Sequence, residues 1–310
     1  MRILWGCSPR GLYNFGVRIG QARGILTYPG TTCELFENLT GADYTDLLVK
    51  GRFDLGTCGT PPLFAALERT SEYAVVASAN NLYPPFYLIA HPSIKAVAEL
   101  GGRTIAINKF RTCPDSVVCN QLSRAGVPRQ SVQIIEVVQP ARYIEAMQKG
   151  DIQAAMLWEP WVSYAERALG WHVLVDCPRE VKPSNYAYLI YARRSLIKNR
   201  QDVVKGYVLA YMASMQYAKD HLDELLELDY PFDLVSREDV ARAIQRELPL
   251  WNTDPAFDWN ILRTAEKELK LQGVVRSKSD IASFLVSLSG MAISINGNVR
   301  FEPVSSMNQV

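Results

Sequence analysis

The chain has 310 residues, of which 48% are hydrophobic, and its formal net charge is +1. This length and hydrophobic content predict two domains or two lobes with a sizeable core that needs no disulfide or metal to stabilise it. The balanced charge gives no support to nucleic-acid binding through a basic face. The sequence contains no uninterrupted apolar stretch of about 18 residues, so no membrane-spanning helix is predicted.

The N-terminus and the cysteines bear on the cellular compartment. Met1 to Trp5 runs straight into a strand-like segment, without the charged region, long apolar stretch and small-residue cleavage site of a signal peptide. We therefore expect a cytoplasmic protein, or a periplasmic one whose export signal has been removed. The six cysteines include no CxxC pair, and free thiols are expected because an even count alone does not argue for disulfides in a chain this long.

Short apolar strands alternate with helical patterns along the first ninety residues. Apolar residues recur at helical spacing, and glycines follow the helical stretches. In chain order the predicted elements are a strand at Arg2–Gly6, a helix at Leu12–Arg23, a strand at Thr31–Phe36, a helix that Asn38 or Thr40 can cap and that ends at Gly51, a strand at Arg52–Thr57, a turn at Cys58–Pro62, a helix at Leu63–Arg69, and strands at Tyr73–Ala79 and Phe86–Ala90.

The second part of the chain repeats this alternation and then becomes mostly helical from Arg194 onward. Strands that alternate with helices of about ten residues are typical of an α/β fold with largely parallel sheets. The predicted elements are a short helix at Ile94–Leu100, a strand at Thr104–Ile107, a loop at Asn108–Cys113, a helix at Pro114–Ala125, a strand at Val132–Val138, a helix at Ala141–Lys149, a strand at Gln153–Trp158, a helix at Trp161–Leu169, strands at His172–Val175 and Tyr186–Tyr191, and helices within Gln201–Leu228, Arg237–Leu248 and Phe257–Leu271.

The stretch Trp158-Glu159-Pro160-Trp161 is the most informative in the chain. It follows an apolar strand, and Pro160 suits the first turn of a helix because its missing N–H is not needed there. Ligands bind outside the carboxyl ends of strands in open α/β sheets, so the two tryptophans are candidate walls of a small-molecule pocket. Packing in the core is the alternative for both.

Four stretches resemble type II periplasmic solute-binding proteins, in the branch of sulfonate-, nitrate- and thiamine-precursor-binding proteins (SsuA/THI5-like, NMT1-like). Gln21–Gly24 resembles the opening A-x-G element, and Leu48–Gly56 resembles L-x-x-G-x-x-D-x-G. Leu100–Ala106 resembles the L-K-G-K-K-I-A entry to the second lobe. Gly150–Pro160 resembles G-x-x-D-A-x-x-x-W-E-P, with Gln153 where the family usually has Asp.

The resemblance implies a two-lobed periplasmic-binding-protein-like type II fold with mostly parallel sheets and a ligand cleft between the lobes. It assigns residues 1–88 and 190–310 to lobe 1 and residues 89–189 to lobe 2, within one SsuA/THI5-like solute-binding domain. The chain would cross between lobes near residues 88–90 and 186–188. Binding of ligand would close the lobes by a hinge motion.

Loops at strand ends supply the candidate ligand-binding residues. The loop before the helix at Pro114 offers Arg111 and helix N–H groups to an anion, although it is also explained as a solvated helix cap. Gly59 lets a ligand approach the backbone, and ordinary turn chemistry is the alternative there. The expected ligand-contacting residues are Cys7, Ser8, Tyr13, Thr57, Cys58, Gly59, Thr60, Asn108, Arg111, Thr112, Trp158, Glu159 and Tyr186.

The cysteines raise two further alternatives. Cys7 is a nucleophile if helix N-termini lower its pKa, and otherwise a small buried hydrophobe. Cys7, Cys58 and Cys113 are all expected on turns at strand ends, but their spacing matches no zinc motif, so we predict neither a metal nor any other cofactor. No histidine falls in these loops, and Glu159 is either a base or a partner for a ligand amine.

Three functions are open, of which the resemblance implies the first two and nothing in the sequence selects the third. The first is a binding protein that captures a small anionic or aromatic solute in the cleft and delivers it to an ABC transporter permease. The second is a cytoplasmic enzyme, because the family includes an aryl-sulfinate desulfinase whose catalytic cysteine matches Cys7 and whose Pro-Pro matches Pro61-Pro62, although its helper histidine and arginine have no match here. The third is a ligand sensor. The sequence favours binding and leaves enzymatic activity open.

Overall fold

The structure, a computed structural model, describes residues 1–7, 12–37, 41–79, 86–110, 112–180, 186–228, 232, 234–251, 253–271, 273–288, 291–293 and 299–301. The side chains of Tyr13 and Cys113 lie outside this description, as do Asn38 and Thr40, the two expected helix caps.

Ten strands of the described residues follow the predicted α/β order, and the two short strands at Met291–Ile293 and Val299–Phe301 were not predicted. Short, mostly apolar segments form most of them, and some, such as Tyr73–Ser78 and Thr104–Ile107, are also rich in the β-branched residues that favour strands. They are β1 (Arg2–Cys7), β2 (Thr32–Glu37), β3 (Leu55–Gly59), β4 (Tyr73–Ser78), β5 (Tyr87–Ala90), β6 (Thr104–Ile107), β7 (Gln133–Glu136), β8 (Ala154–Leu157), β9 (His172–Asp176), β10 (Tyr188–Arg193), β11 (Met291–Ile293) and β12 (Val299–Phe301).

Helices connect these strands and make up much of the second half of the chain. Gly150 and Gly170 end two of them in the left-handed conformation, with φ of 75° and 67°. The helices are α1 (Tyr13–Ala22), α2 (Gly41–Val49), α3 (Thr60–Leu67), α4 (Cys113–Arg124), α5 (Pro140–Lys149), α6 (Trp161–Leu169), α7 (Cys177–Glu180), α8 (Arg194–Asn199), α9 (Gln201–Asp220), α10 (Leu222–Glu227), α11 (Arg237–Glu247) and α12 (Trp259–Leu271).

The first sheet has the strand order β2-β1-β3-β10-β4. β1 is parallel to β2 and to β3, and β10 is antiparallel to β3 and to β4. The carboxyl ends of β1 and β3 therefore lie at the same edge, which brings Cys7 beside the Thr57–Gly59 end of β3.

The second sheet repeats this plan with the order β7-β6-β8-β5-β9. β6 is parallel to β7 and to β8, whereas β5 is antiparallel to β8 and to β9. Successive residues of β5, β6 and β8 belong to two different apolar clusters, one on each face. Burial on both faces explains why these strands read as continuous apolar runs.

The chain divides into two compact units. Unit 1 comprises Met1–Leu82, Pro183–Leu225 and Trp251–Val310, and unit 2 comprises Tyr83–Lys182 and Leu226–Leu250. The sequence expectation assigned all of residues 190–310 to lobe 1, whereas Leu226–Leu250 groups with unit 2. The reason is helix α11, which packs on α6 and forms a bidentate ion pair between Asp239 and Arg167, at 2.6 and 2.7 Å.

Two element predictions were wrong in detail. The expected turn at Cys58–Pro62 does not form, because β3 continues to Gly59 and α3 begins at Thr60 with its prolines in the first turn, where no N–H is needed. The expected helix at Ile94–Leu100 is reduced to a 3₁₀ turn at Val97–Leu100. The helical pattern expected within Gln201–Leu228 forms as two helices, α9 and α10, which are separated at His221.

Candidate functional site

The end of β3 contributes a buried hydroxyl group to the candidate site in unit 1. Thr57 is 2% exposed, and among the described residues its hydroxyl has no hydrogen-bond partner. Gly59 has an ordinary extended backbone, and a Cβ there would lie 3.4 Å from Cγ of Pro62, so its conformation does not require glycine. Two prolines in the first turn of α3 reduce the number of N–H groups available to a ligand.

Thr60 and Tyr186 are brought together by this geometry. The Thr60 hydroxyl donates a hydrogen bond to the carbonyl oxygen of Tyr186, and the Tyr186 hydroxyl accepts one from the N–H of Asp258. Tyr186 is 2% exposed and packs edge-on against Phe257, with ring centroids 6.2 Å apart. Both side chains are thus engaged within unit 1.

The thiols of Cys7 and Cys58 are buried behind the same strand ends. Burial raises the pKa of both thiols well above the usual value, and for Cys7 the carboxylate of Glu37 adds to this effect. A thiol held protonated is a poor nucleophile. Of the two alternatives for Cys7, burial and the raised pKa therefore favour a small buried apolar residue over an activated nucleophile.

We expect Cys7 and Cys58 to resist alkylation in the native protein. Burial blocks access and the raised pKa suppresses the thiolate, so at about pH 7.5 iodoacetamide should modify them only after denaturation. Peptide mass spectrometry of native and urea-treated samples measures this, with the less buried Cys119 as the internal comparison. Modification of native Cys7 as fast as a free cysteine would show that the site opens and that its thiol is reactive.

The loop after β6 carries the candidate residues of unit 2. The Thr112 hydroxyl donates to the side-chain oxygen of Asn108 at 3.1 Å and to the carbonyl oxygen of Lys109 at 2.6 Å. It forms no hydrogen bond with the first turn of α4, although it occupies the cap position. The hydrogen bond between the Asn108 and Thr112 side chains therefore stabilises the loop. Arg111, the expected anion ligand, lies outside the described residues, as does Ser8 in unit 1.

Trp158 lies at the end of β8 and is partly buried. Its ring is perpendicular to those of Phe86 and Tyr143, with centroids 6.0 and 6.4 Å away. Edge-to-face contacts of this kind are favourable and fix the ring orientation. Trp161, at the start of α6, is 6% exposed and packs against Phe232, as expected of a core residue.

Glu159 is buried and its carboxylate is occupied. It is 1% exposed, and it accepts hydrogen bonds from the N–H and the hydroxyl of Ser163, each at 3.0 Å. The Arg246 guanidinium of α11 donates to it at 2.6 Å and to Glu166 at 2.6 Å. Burial raises the pKa of Glu159 to about 7, against the opposing effect of Arg246. In this structure, Glu159 joins the β8–α6 connection to α11 and presents no free carboxylate.

Arg246 is the residue at this site that sequence reasoning missed. Ser163, four residues after Glu159, could have been suspected as a partner on the first turn of α6. Arg246 is 87 residues away in sequence, and no local pattern connects the two. Its guanidinium also lies over the ring of Tyr87, 5.5 Å from the centroid.

Metal binding and membrane insertion find no support in the described part of the chain. No three histidine, cysteine or acidic side chains there are grouped so as to hold a metal ion. The described cysteines form no disulfide. No described helix has the length and apolar character needed to cross a membrane.

Comparison with known proteins agrees with this architecture. The chain is 28% identical over 138 residues to the taurine-binding periplasmic protein of Escherichia coli (strain K12), a match that covers 44% of this chain and 42% of that protein, which is less than half its length. The crystal structure of the periplasmic aliphatic sulphonate binding protein SsuA from Escherichia coli superposes with a TM-score of 0.75 and 19% identity, over 94% of this chain and 95% of that one. The crystal structure of a DSZB mutant in complex with biphenyl-2-sulfinic acid superposes with a TM-score of 0.68 and 15% sequence identity. That match covers 93% of this chain and 97% of the DSZB chain.

The TM-scores of these two structures establish a shared fold. Their sequence identities, below 20%, support no conclusion about a shared function. The family comparison reaches further, since the family model described as NMT1/THI5 like matches residues 15–225. That range covers more than half of the chain and contains the strands from β2 to β10, which are all of the second sheet and all of the first sheet except β1. The two-sheet α/β architecture, the strand-end elements and this match agree, and the chain belongs to the NMT1/THI5-like family.

Proposed function

We propose that this protein is the solute-binding component of an ABC-type importer and that its solute is a small organic anion of the sulfonate type. Membership of the NMT1/THI5-like family is the observation that carries the proposal. The taurine-binding relative and the sulphonate-binding structure point to the same ligand class. A transporter permease would be the protein partner, and the periplasm would be the compartment, as in that relative.

The strand ends support this proposal chemically. The Thr57 hydroxyl is a buried donor without a partner among the described residues, and a ligand oxygen would satisfy it. Gly59 and Thr60 come two and three residues later, where β3 passes into α3. The division into two lobes with the ligand between them, which the family resemblance implies, stays a prediction.

Calorimetry with purified protein and a set of sulfonates tests the proposal. We expect at least one sulfonate to bind, and Thr57→Val to weaken that binding about tenfold, because the variant keeps the shape and loses one hydrogen bond to an anion. Thr104→Val is the matched control, since Thr104 begins β6 in the second sheet, away from the carboxyl ends of its strands, and its hydroxyl donates to the side-chain oxygen of Gln133. Equal affinities for all three proteins would remove Thr57 from the site, and no binding of any sulfonate would refute the proposed function.

Enzymatic desulfination is the second candidate, favoured by the fold shared with DSZB and by Cys7 at the end of β1. The buried, protonated thiol of Cys7 counts against it. Incubation with biphenyl-2-sulfinate and measurement of released sulfite, for the wild type and Cys7→Ala, separates the two functions. We expect no sulfite from either protein. Release by the wild type that Cys7→Ala abolishes would establish the enzyme instead.

A further inference from the structure

One edge of the unit 2 sheet carries apolar side chains where β6, β7 and β8 end and β5 begins. β5 is antiparallel to β8 and Tyr87 pairs with Leu157, so Phe86 and Trp158 lie at the same edge. β6 and β7 run parallel to β8, so Phe110 and Val138 follow strands that end there too. Phe110 is 40% exposed and Val138 is 57% exposed. Phe86 and Trp158 are partly buried and pack edge-on against each other beside these two residues. Apolar side chains with accessible surface where parallel strands reach their carboxyl ends are typical of a ligand-binding wall.

The carboxylate of Glu159, the residue after Trp158, is not available to a ligand at this edge. The oxygens of Glu159 accept hydrogen bonds from Ser163 and Arg246 and are buried. A primary ammonium on a ligand could recruit this group only by displacing Arg246 from it. That exchange is unfavourable, because it breaks the 2.6 Å bond between Arg246 and the buried carboxylate and leaves the guanidinium with Glu166 as its remaining carboxylate partner.

Glu136 is a carboxylate that remains at the edge. It is exposed, at the end of β7, and one of its oxygens accepts a hydrogen bond from the N–H of Phe110 at 2.6 Å. Water competes strongly for an exposed carboxylate, so its attraction for an ammonium group is weak. It is nevertheless the group through which a zwitterion could be recognised, and it therefore belongs in the test.

We infer that the solute is an organic anion with an apolar body, aryl or extended alkyl, which lies on Phe86 and Trp158, and that amino-substituted sulfonates such as taurine are poor ligands. This inference rests on the proposed function and specifies its substrate class. Affinity should grow with the apolar area that the wall covers. The ammonium group of a zwitterion loses hydration there and gains no buried carboxylate in return.

Calorimetric titration with taurine, ethanesulfonate, octanesulfonate and naphthalene-2-sulfonate tests the inference, because all four carry the same anionic group. We expect the two large apolar sulfonates to bind at least about tenfold more tightly than ethanesulfonate, and taurine to bind no more tightly than ethanesulfonate. Glu136→Gln should leave this order unchanged.

Two further variants assign the effect to the wall. Trp158→Leu should remove most of the advantage of naphthalene-2-sulfonate while leaving ethanesulfonate binding unchanged, and a matching melting temperature shows that it folds. Leu271→Ala removes an apolar side chain that is 89% exposed in α12 and should change nothing. Tightest binding by taurine, or affinity that does not vary with apolar size, would overturn the inference alone. Failure of all four sulfonates to bind would instead refute the proposed function, and this inference with it.

Discussion

Replacing Arg246 with methionine is expected to lower the free energy of unfolding by about 3 kcal/mol at about pH 8, because removing one partner of a buried ion pair strands the other. Arg246 donates to Glu159 at 2.6 Å, and the Glu159 side chain is fully buried. The variant also loses the bond to Glu166 at 2.6 Å. Urea denaturation measures the change. The matched control is Arg142→Met, which breaks an exposed pair with Glu145 on α5 and should cost less than about 1 kcal/mol.

The effect of Arg246→Met should depend on pH in a defined direction. Burial raises the pKa of Glu159 to about 7, above the value of about 4.3 in an unfolded chain. The folded protein therefore holds an extra proton between these values, and the stability that this group contributes falls as the pH rises through that window. At about pH 5 Glu159 is mostly neutral in the folded state, so the loss of its ion pair with Arg246 costs less stability.

The destabilisation should consequently be larger at about pH 8 than at about pH 5. Adding Glu159→Gln to Arg246→Met should recover part of the lost stability at the higher pH, because the fully buried position 159 then carries no stranded charge. A small loss that is the same at both pH values, or no recovery in the double variant, would contradict the assignment of Glu159 as the ionised partner of Arg246.

Gly56→Ala is expected to destabilise the protein by about 3 kcal/mol, at the upper end of the usual range for overpacked cores. A Cβ at Gly56 would lie 2.1 Å from the carbonyl oxygen of Gly6 in β1 and 2.7 Å from the Tyr191 hydroxyl. The first contact is with backbone, so β1 and β3 must separate to accommodate it. Since β3 continues directly into Thr57, this variant should also weaken binding of the solute.

The control for this prediction is Gly59→Ala, three residues further along the same strand. A Cβ there would make only ordinary contacts, at 3.4 Å or more, and φ is −57°. Urea denaturation should give Gly59→Ala close to wild-type stability. Equal losses in the two variants, or a stable Gly56→Ala, would show that the strands tolerate the extra methyl group.

Much of the fold was predictable because local pattern decides it. Apolar runs of β-branched residues gave the strands, and helical spacing that ends at glycine gave the helices between them. Where the expectation failed, the local signal was ambiguous. Prolines at 61 and 62 suggested a turn and in fact occupy the first turn of α3, because a proline suits both positions.

The candidate site was predictable only in part. The strand ends at Thr57–Thr60, Asn108–Thr112 and Trp158–Glu159 follow from the order of strands and helices. Whether a side chain there is free to contact a ligand depends on its partners. Glu159 and Tyr186 were both expected to bind ligand, and the structure engages them with Arg246 and Asp258, which lie 87 and 72 residues away in the chain.

By itself, the sequence determined the α/β class, the alternation of elements and the family resemblance, because these depend on periodicity and on short motifs. Only the tertiary structure decided that α11 packs in unit 2, that Arg246 occupies the carboxylate of Glu159, and that the thiols of Cys7 and Cys58 are buried. The physical reason is that burial and charge pairing join residues far apart in the chain, and no local pattern records which distant partner a polar side chain meets.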